Sequence, residues 1–301
     1  MPRPRWYNVA MQQILLIIIR HTPLALLYLL AWLIGQVLYL LHNKQRHIAE
    51  VNLALCFPDW SPQQRQELVR QSLVETSKTL LESLKLWSAN SKKILRLVRQ
   101  VEGEALLEQA LASNKGALLI TPHLGNWEVV NLYCSARHPM TSMYRTQKSK
   151  FMDQLMRNGR EQFGARLVPA TRQGIRPQLE ALHHNELVMI LPDQNPSKGM
   201  QLFVPFFNVP TNTPVLPIRL AQKTGTTIIL AYAERLPLGR GYRLVFEKVS
   251  DDLYHDDLET AVTAMNRELE NLIRNKPQQY WWGYSRFRHR PEGEAKLYKK
   301  D

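Results

Sequence analysis

Gly116-Ala117-Leu118-Leu119-Ile120-Thr121-Pro122-His123-Leu124-Gly125-Asn126-Trp127-Glu128 is the stretch on which the reading of this chain turns. A short apolar run closed by turn residues predicts a buried strand over Ala117 to Thr121. His123 then falls in a tight polar loop, and Gly125-Asn126 reads as a helix start with Asn126 as the cap, so Glu128 lands in the first helical turn. There the helix dipole favours an ionised carboxylate. A carboxylate bonded to one imidazole nitrogen fixes the tautomer and raises the basicity of the other, which can then take a proton from an alcohol. If the alcohol itself attacks an activated acyl group no nucleophilic serine or cysteine is needed, and the chain has no G-x-S-x-G elbow. A His and a Glu at this spacing recur by chance in many sequences; their place at a strand end and a helix start is what gives them weight.

Outward from this stretch the chain alternates. Strands are expected at Ala117 to Thr121, Pro139 to Arg145, Arg166 to Pro169 and Leu187 to Leu191. Helices are expected between them at Asn126 to Ala136, Ser149 to Phe163 and Ile175 to His184. Pro214 to Thr224 reads as a helix, Thr227 to Tyr232 and Arg243 to Phe246 as strands, and Leu258 to Arg274 as a last long helix. The pattern predicts an α/β fold, a mixed and mostly parallel sheet covered by helices on both faces, with ligands bound where strand carboxyl ends open into loops. Residues Pro192 to Pro214 carry Phe203, Phe206, Phe207 and Val209 among prolines and read as an extended loop walling an apolar groove or touching lipid. Leu95 to Val101 and Glu104 to Ala112 read as a connecting region.

Upstream, Lys44 to Leu55 has helical spacing and stops at Phe57-Pro58. Ser61-Pro62-Gln63-Gln64 opens a long amphipathic helix through Trp87. The amino terminus is apolar from Ile14 to Ile19 and again from Leu24 to Leu41, the second run being about 18 residues against the ~20 of a spanning helix. Aromatic and basic residues flank it (Trp6, Tyr7, Trp32 and Tyr39; Arg3, Arg5, Lys44 and Arg46), so residues 1–43 are read as a membrane anchor, with Pro23 leaving an interfacial helix open. The rest, 44–301, is one domain: a helical part over 44–112, an α/β core over 115–275 and an aromatic, basic tail over 276–301.

With 301 residues, 45% of them hydrophobic, the chain can bury a large core, and a net charge of +13 predicts attraction to an anionic partner. Two distant cysteines, Cys56 and Cys134, form neither a disulfide framework nor a C-x-x-C pair. The tail, with Tyr280, Trp281, Trp282, Tyr284 and Phe287 among Arg286, Arg288, His289 and Arg290, has a composition that would also suit nucleic acid; beside an anchor it is read as structural or lipid-facing. His183-His184 with Glu186 lacks metal-ligand spacing, and Gly239-Arg240-Gly241 lacks the third glycine of a nucleotide loop. Neither a metal nor a cofactor is called for.

His123-Leu124-Gly125-Asn126-Trp127-Glu128 resembles the H-x4-D/E motif of the lysophospholipid acyltransferase superfamily. Further blocks in the same order resemble its bacterial lipid A late acyltransferases, the lauroyl/myristoyl transferase group. They are the amino-terminal hydrophobic segment, Asn52-Leu53 through Phe57-Pro58, Tyr144-Arg145, Arg160 with Gly164, Asp193-Gln194 before Phe206-Phe207, Leu220-Ala221 before Thr224-Gly225, and Pro277 through Trp282 with Arg286-Phe287 and Arg290-Pro291-Glu292-Gly293. Tyr284 departs from the histidine that many relatives place there.

The resemblance implies a glycerolipid acyltransferase-like fold at the cytoplasmic side of a bacterial inner membrane. It implies transfer of an acyl chain from an acyl carrier protein thioester to a hydroxyl of an acylated lipid A precursor, an anionic glycolipid. His123 is the expected base and Glu128 its orienting partner. Arg160 or backbone N–H groups near Gly125 are candidate oxyanion donors, Asn126 a cap or a contact, and Arg145 and Asp193 binding or architectural residues. Acylation of another lysophospholipid or glycolipid is the alternative within the superfamily. A membrane-tethered nucleic-acid or scaffold protein is the alternative outside it, distinguished by salt-dependent nucleic-acid binding without acyl transfer.

Overall fold

The computed structural model describes residues 5–89, 94–196 and 199–298. In it, Ala117–Ile120 (β2), Met140–Tyr144 (β3), Ala165–Pro169 (β4), Leu187–Ile190 (β5) and Thr227–Arg235 (β8) are parallel neighbours in one sheet. Tyr242–Lys248 (β9) joins β8 antiparallel, and Val98–Glu102 (β1) joins β9 in parallel, giving the order β1-β9-β8-β2-β5-β3-β4. β2 and β5 at the centre are buried at every position. Strands covered on both faces read as continuous apolar runs, which is how Ala117 to Ile120 and Leu187 to Ile190 appear in the sequence.

Helices cover both faces, as the α/β reading requires. They are Glu104–Ala112 (α5), Trp127–Ser135 (α6), Lys150–Glu161 (α7), Ile175–His183 (α8), Leu216–Thr224 (α9) and Leu258–Asn275 (α10), preceded by Lys44–Cys56 (α3) and Pro62–Ser88 (α4). The start of α4 is a full capping box: the Ser61 hydroxyl accepts from the Gln64 N–H and the Gln64 side chain accepts from the Ser61 N–H.

Three regions differ from the sequence reading. The expected loop at 192–214 folds in part into a hairpin, Gln201–Phe206 (β6) against Val209–Pro214 (β7), closed by Phe207 and Asn208. Both turn residues have positive φ, 50° and 61°, as a two-residue primed turn demands. Three prolines, 205, 210 and 214, argue against strands in the sequence; a two-stranded ribbon has free edges that tolerate them. Likewise the stretches Leu95 to Val101 and Glu104 to Ala112, expected as connection, give the strand β1 at the sheet edge and the helix α5.

The amino-terminal apolar segment is two helices, Arg5–His21 (α1) and Leu24–Leu40 (α2), broken at Pro23. At 17 residues α2 is about 25 Å long, short of the ~30 Å of a bilayer core. Among the described residues no single helix is long and apolar enough to cross a membrane, and α2 qualifies only jointly with α3 across a bend of 80°. α2 buries Leu27, Tyr28, Ala31 and Gly35 against the body of the protein and turns Leu26, Leu29, Leu33, Val37 and Leu40 outward. The expected single anchor is thus a pair of helices broken at Pro23, with an outward apolar face.

The tail is structural. Tyr280, Trp282, Arg286 and Phe287 are buried, and Arg286 donates to the Asn212 carbonyl and the Thr213 hydroxyl of β7.

At the carboxyl end of β8 lies a buried ion cluster. Arg235, at the end of β8, donates to both oxygens of Glu82 at 2.7 and 2.8 Å, to Glu75 at 2.5 Å, to the Thr79 hydroxyl at 2.7 Å and to the Gly125 carbonyl at 3.2 Å. Glu82 is fully buried and also accepts from the Asn126 amide and the Tyr28 hydroxyl. Removing one partner leaves a carboxylate buried and uncompensated. Arg235→Met is therefore expected to lower unfolding free energy by about 3–5 kcal/mol in urea titration followed by tryptophan fluorescence. A loss below about 1 kcal/mol would show that the cluster does not clamp these elements.

Candidate active site

The parallel register of β2 and β5 pairs Ile120 with Ile190. His123 and Asp193 each lie three residues beyond that pair, so the two chains leave the sheet side by side and bring the side chains together. Asp193 Oδ1 accepts from His123 Nδ1 at 2.7 Å, and its Oδ2 accepts from the His123 backbone N–H at 2.8 Å. On the other side of the ring the Gln194 amide donates to Nε2 at 3.0 Å. With Nδ1 the donor to Asp193, Nε2 carries the lone pair that accepts from Gln194. Trp127 stands edge-on to the imidazole at 4.5 Å between centroids, and Trp281 lies 5.6 Å away.

The carboxylate expected on the histidine was Glu128; the structure gives that contact to Asp193. Glu128 instead accepts two hydrogen bonds from Arg160, at 2.8 and 2.5 Å, and one from the Trp87 indole at 3.0 Å. The cause is the direction of approach. Helix α7 crosses α4 so closely that a Cβ on Gly159 would sit 2.6 Å from the Trp87 Cα, and this contact delivers Arg160 and Trp87 together onto the start of α6. His123 and Glu128 nevertheless line one cleft, and the histidine is among the lesser electrostatic influences on the Glu128 carboxyl.

Both carboxyls are buried. Burial pushes Glu128 up, but the charge and hydrogen bonds of Arg160, with Trp87, carry it below the usual carboxylate value. Asp193 is also pushed up by burial and brought below its ordinary value by the facing histidine, the His123 N–H and Arg286.

The loop between His123 and Glu128 is held from three sides. Gly125 N–H donates to the Gln279 carbonyl, Asn126 N–H to the Ala233 carbonyl, and the Trp281 N–H to the His123 carbonyl. Gly125 has φ of 62°, and a Cβ there would come within 2.0 Å of the Ala233 carbonyl oxygen, so only glycine fits. Asn126 is the cap: its side chain accepts from the Glu128 N–H and donates to Glu82. The Gly125 and Asn126 N–H groups, considered above as oxyanion donors, are therefore already engaged.

The site opens into a cleft of about 670 Å³, a volume suited to a small-molecule site. Its walls include Ile34 and Leu38 of α2, Leu80 and Trp87 of α4, and Met152 and Met156 of α7. Arg160, Arg145 and Gln194 also border it, so of the expected site residues the structure gathers His123, Glu128, Arg160 and Arg145 around one cavity with Asp193 just behind the ring. Gln194 was missed as a site residue; its place beside Asp193 at the end of the Leu187 to Leu191 strand was the available signal.

An α/β sheet with a His–Asp pair at its strand ends, the aspartate buried and the histidine facing an apolar cleft, defines the class, and the sequence comparison names it. Residues 2–289 match the bacterial lipid A biosynthesis acyltransferase family, and the chain belongs to that family. It is an acyltransferase of lipid A biosynthesis. It is 27% identical to a lipid A biosynthesis lauroyltransferase of Escherichia coli K12, over 98% of this chain and 96% of that one. It is also 27% identical to a palmitoleoyltransferase of the same organism, over 92% and 89%, and to a myristoyltransferase, over 86% and 80%.

The two depressed carboxyls have a consequence for acid stability. Folding favours their ionised forms, so the stabilisation is complete above the ordinary carboxylate range, near pH 4, and is lost as the pH falls through the lower folded values. Glu128→Gln removes one such group. Its stability is expected to fall less steeply than that of the parent chain below about pH 4 in denaturant titrations. Parallel curves would refute the assignment.

Proposed function

We propose that the protein transfers a fatty acyl chain from an acyl carrier protein thioester to a hydroxyl of an acylated lipid A precursor, with His123 as general base. The observation that carries this reading is the His123 Nε2 lone pair, facing an apolar cleft while Asp193 holds Nδ1 at 2.7 Å. The acceptor hydroxyl displaces the Gln194 amide from Nε2 and gives its proton to that nitrogen as the oxygen attacks the thioester carbonyl. A C–O bond forms and the carbonyl becomes an oxyanion. Collapse of the tetrahedral intermediate breaks the C–S bond, and the imidazolium returns its proton to the departing thiolate. Asp193 holds the ring in one tautomer and stabilises the imidazolium.

In this scheme Glu128 acts through Arg160. Two of the guanidinium nitrogens are fixed on the carboxylate, and Nη1 makes no hydrogen bond among the described residues. Arg160 Nη1 and the displaced Gln194 amide are the groups available to the oxyanion, and one such donor is typically worth ~3 kcal/mol of barrier. The outward apolar face of α1 and α2 rests in the cytoplasmic leaflet of the inner membrane, where its side chains leave water for lipid. The positive charge of the chain suits both an acidic carrier and an anionic acceptor.

Incubation of purified protein with acyl carrier thioester and a tetraacylated precursor is expected to yield one added acyl mass. In the same assay His123→Ala and Asp193→Asn lower kcat by about 10³-fold or more, whereas Gln194→Ala costs about tenfold to a hundredfold. Wild-type turnover by Asp193→Asn would remove Asp193 from the mechanism. Coenzyme A thioesters and a lysophospholipid acceptor in parallel reactions decide the donor and the acceptor class.

A further inference from the structure

A second cavity, of about 360 Å³, adjoins the cleft and shares Arg145, Asn195, Pro196 and Tyr284 with it. Its remaining walls are Lys44, Gly283, Ser285, Arg288 and His289, with no acidic side chain among them. Elsewhere the described arginines repeatedly meet carboxylates: Arg46 with Glu50, Arg160 with Glu128, Arg243 with Glu234. The side chains of Lys44, Arg145, Arg288 and His289 make no hydrogen bond or ion pair among the described residues. Three segments far apart in sequence thus direct uncompensated cationic or imidazole groups at one hollow.

Tyr284, the residue that departs from the histidine of many relatives, forms the partition between the two cavities. Its hydroxyl accepts from the Asn195 backbone N–H at 3.0 Å and from the Asn195 amide at 3.2 Å. With both lone pairs engaged, the phenolic proton is left as a donor for a group in either cavity. The hollow also lies at the end of the apolar helix α2: Lys44 is four residues beyond Leu40, whose side chain is outward and 69% exposed. The height at which an apolar helix gives way to basic residues is where the anionic head of a membrane-bound substrate lies.

We propose that this second cavity is a phosphate-ester site, in which Lys44, Arg145, Arg288 and His289 hold the phosphate of a substrate whose reacting part occupies the cleft. The inference rests on the acyl-transfer reading above and deepens it. Both substrates of that reaction can supply such a group: the acceptor as a sugar phosphate, the donor as the phosphate of its pantetheine arm. Charge-assisted contacts from guanidinium and ammonium groups are the interactions that select phosphate over a neutral sugar or amide.

The test uses the full chain in detergent micelles. N-acetylglucosamine 1-phosphate and pantetheine 4′-phosphate are titrated separately and followed by phosphorus NMR line width, and N-acetylglucosamine and pantetheine serve as competitors. One phosphate ester is expected to bind saturably, and the one that does so identifies the source. The doubly substituted Lys44→Ala/Arg288→Ala chain weakens it by about tenfold, and Arg176→Ala, an exposed arginine on α8, does not. Binding weakens with added salt, and the unphosphorylated compounds do not compete. Absence of saturable binding by either ester, or equal affinity in the doubly substituted chain, overturns the site. Acyl transfer by the wild-type chain is measured alongside. Its absence would overturn the acyl-transfer reading, while the titrations would still decide whether the cavity takes phosphate.

Discussion

Arg235 buried against Glu82 and Glu75 is the constraint on which the site depends. A guanidinium and two carboxylates in the interior are tolerable only with every partner in place, so the cluster permits one arrangement of the parts that contribute to it. Those parts are the end of β8, the middle of α4, Tyr28 of α2 and the Gly125 carbonyl with the Asn126 amide. The loop that carries His123 is therefore tied to a long helix and to the amino-terminal apolar pair. Gln279 adds a second tie by bonding both to the Arg235 backbone and, through its carbonyl, to the Gly125 N–H. A short loop that would otherwise be free to fluctuate is held as firmly as the sheet.

Two carboxylate systems then divide the polar work of the cleft. Asp193 belongs to the histidine, through both the ring and the backbone, and Glu128 belongs to Arg160. Their environments are alike in burial and differ in partner, and this difference, not their sequence spacing to His123, sets what each is able to do. A carboxylate on Nδ1 governs tautomer and basicity; one locked onto a guanidinium governs where a positive charge sits. The separation explains how a conspicuous H-x4-E spacing can coexist with a histidine partner 70 residues further along the chain.

Much of this was legible in the residues. The apolar runs at Ala117 to Ile120 and Leu187 to Ile190 announced central strands, and Gly125-Asn126 announced a helix start that the structure reproduces, cap included. The pairing of His123 with Asp193 was not legible, because it follows from which strands are neighbours and from their register, and a strand carries no mark of either. The hairpin at 201–214 was hidden by its prolines and by a turn made of Phe207-Asn208 instead of a glycine pair. β1 was hidden because an edge strand with exposed positions lacks the continuous apolar run of its central neighbours. Arg235 lies beyond Tyr232, where the strand was expected to end, and only the arrival of α4 makes it a hub.

The Gln194 amide on His123 Nε2 bears on fidelity. In the proposed reaction, an activated acyl thioester held beside an unoccupied base would be open to hydrolysis, since water is always at hand and needs only a proton acceptor. Here the acceptor atom is already satisfied, and an incoming oxygen must displace an amide donor to reach it. Water has one hydrogen bond to offer for that exchange. A lipid alcohol has the contact area of its chains along the cleft, binding free energy that can be applied at the reacting centre. Under that proposal the resting contact acts as a threshold that an anchored alcohol crosses more readily than solvent, favouring ester formation over loss of the acyl group.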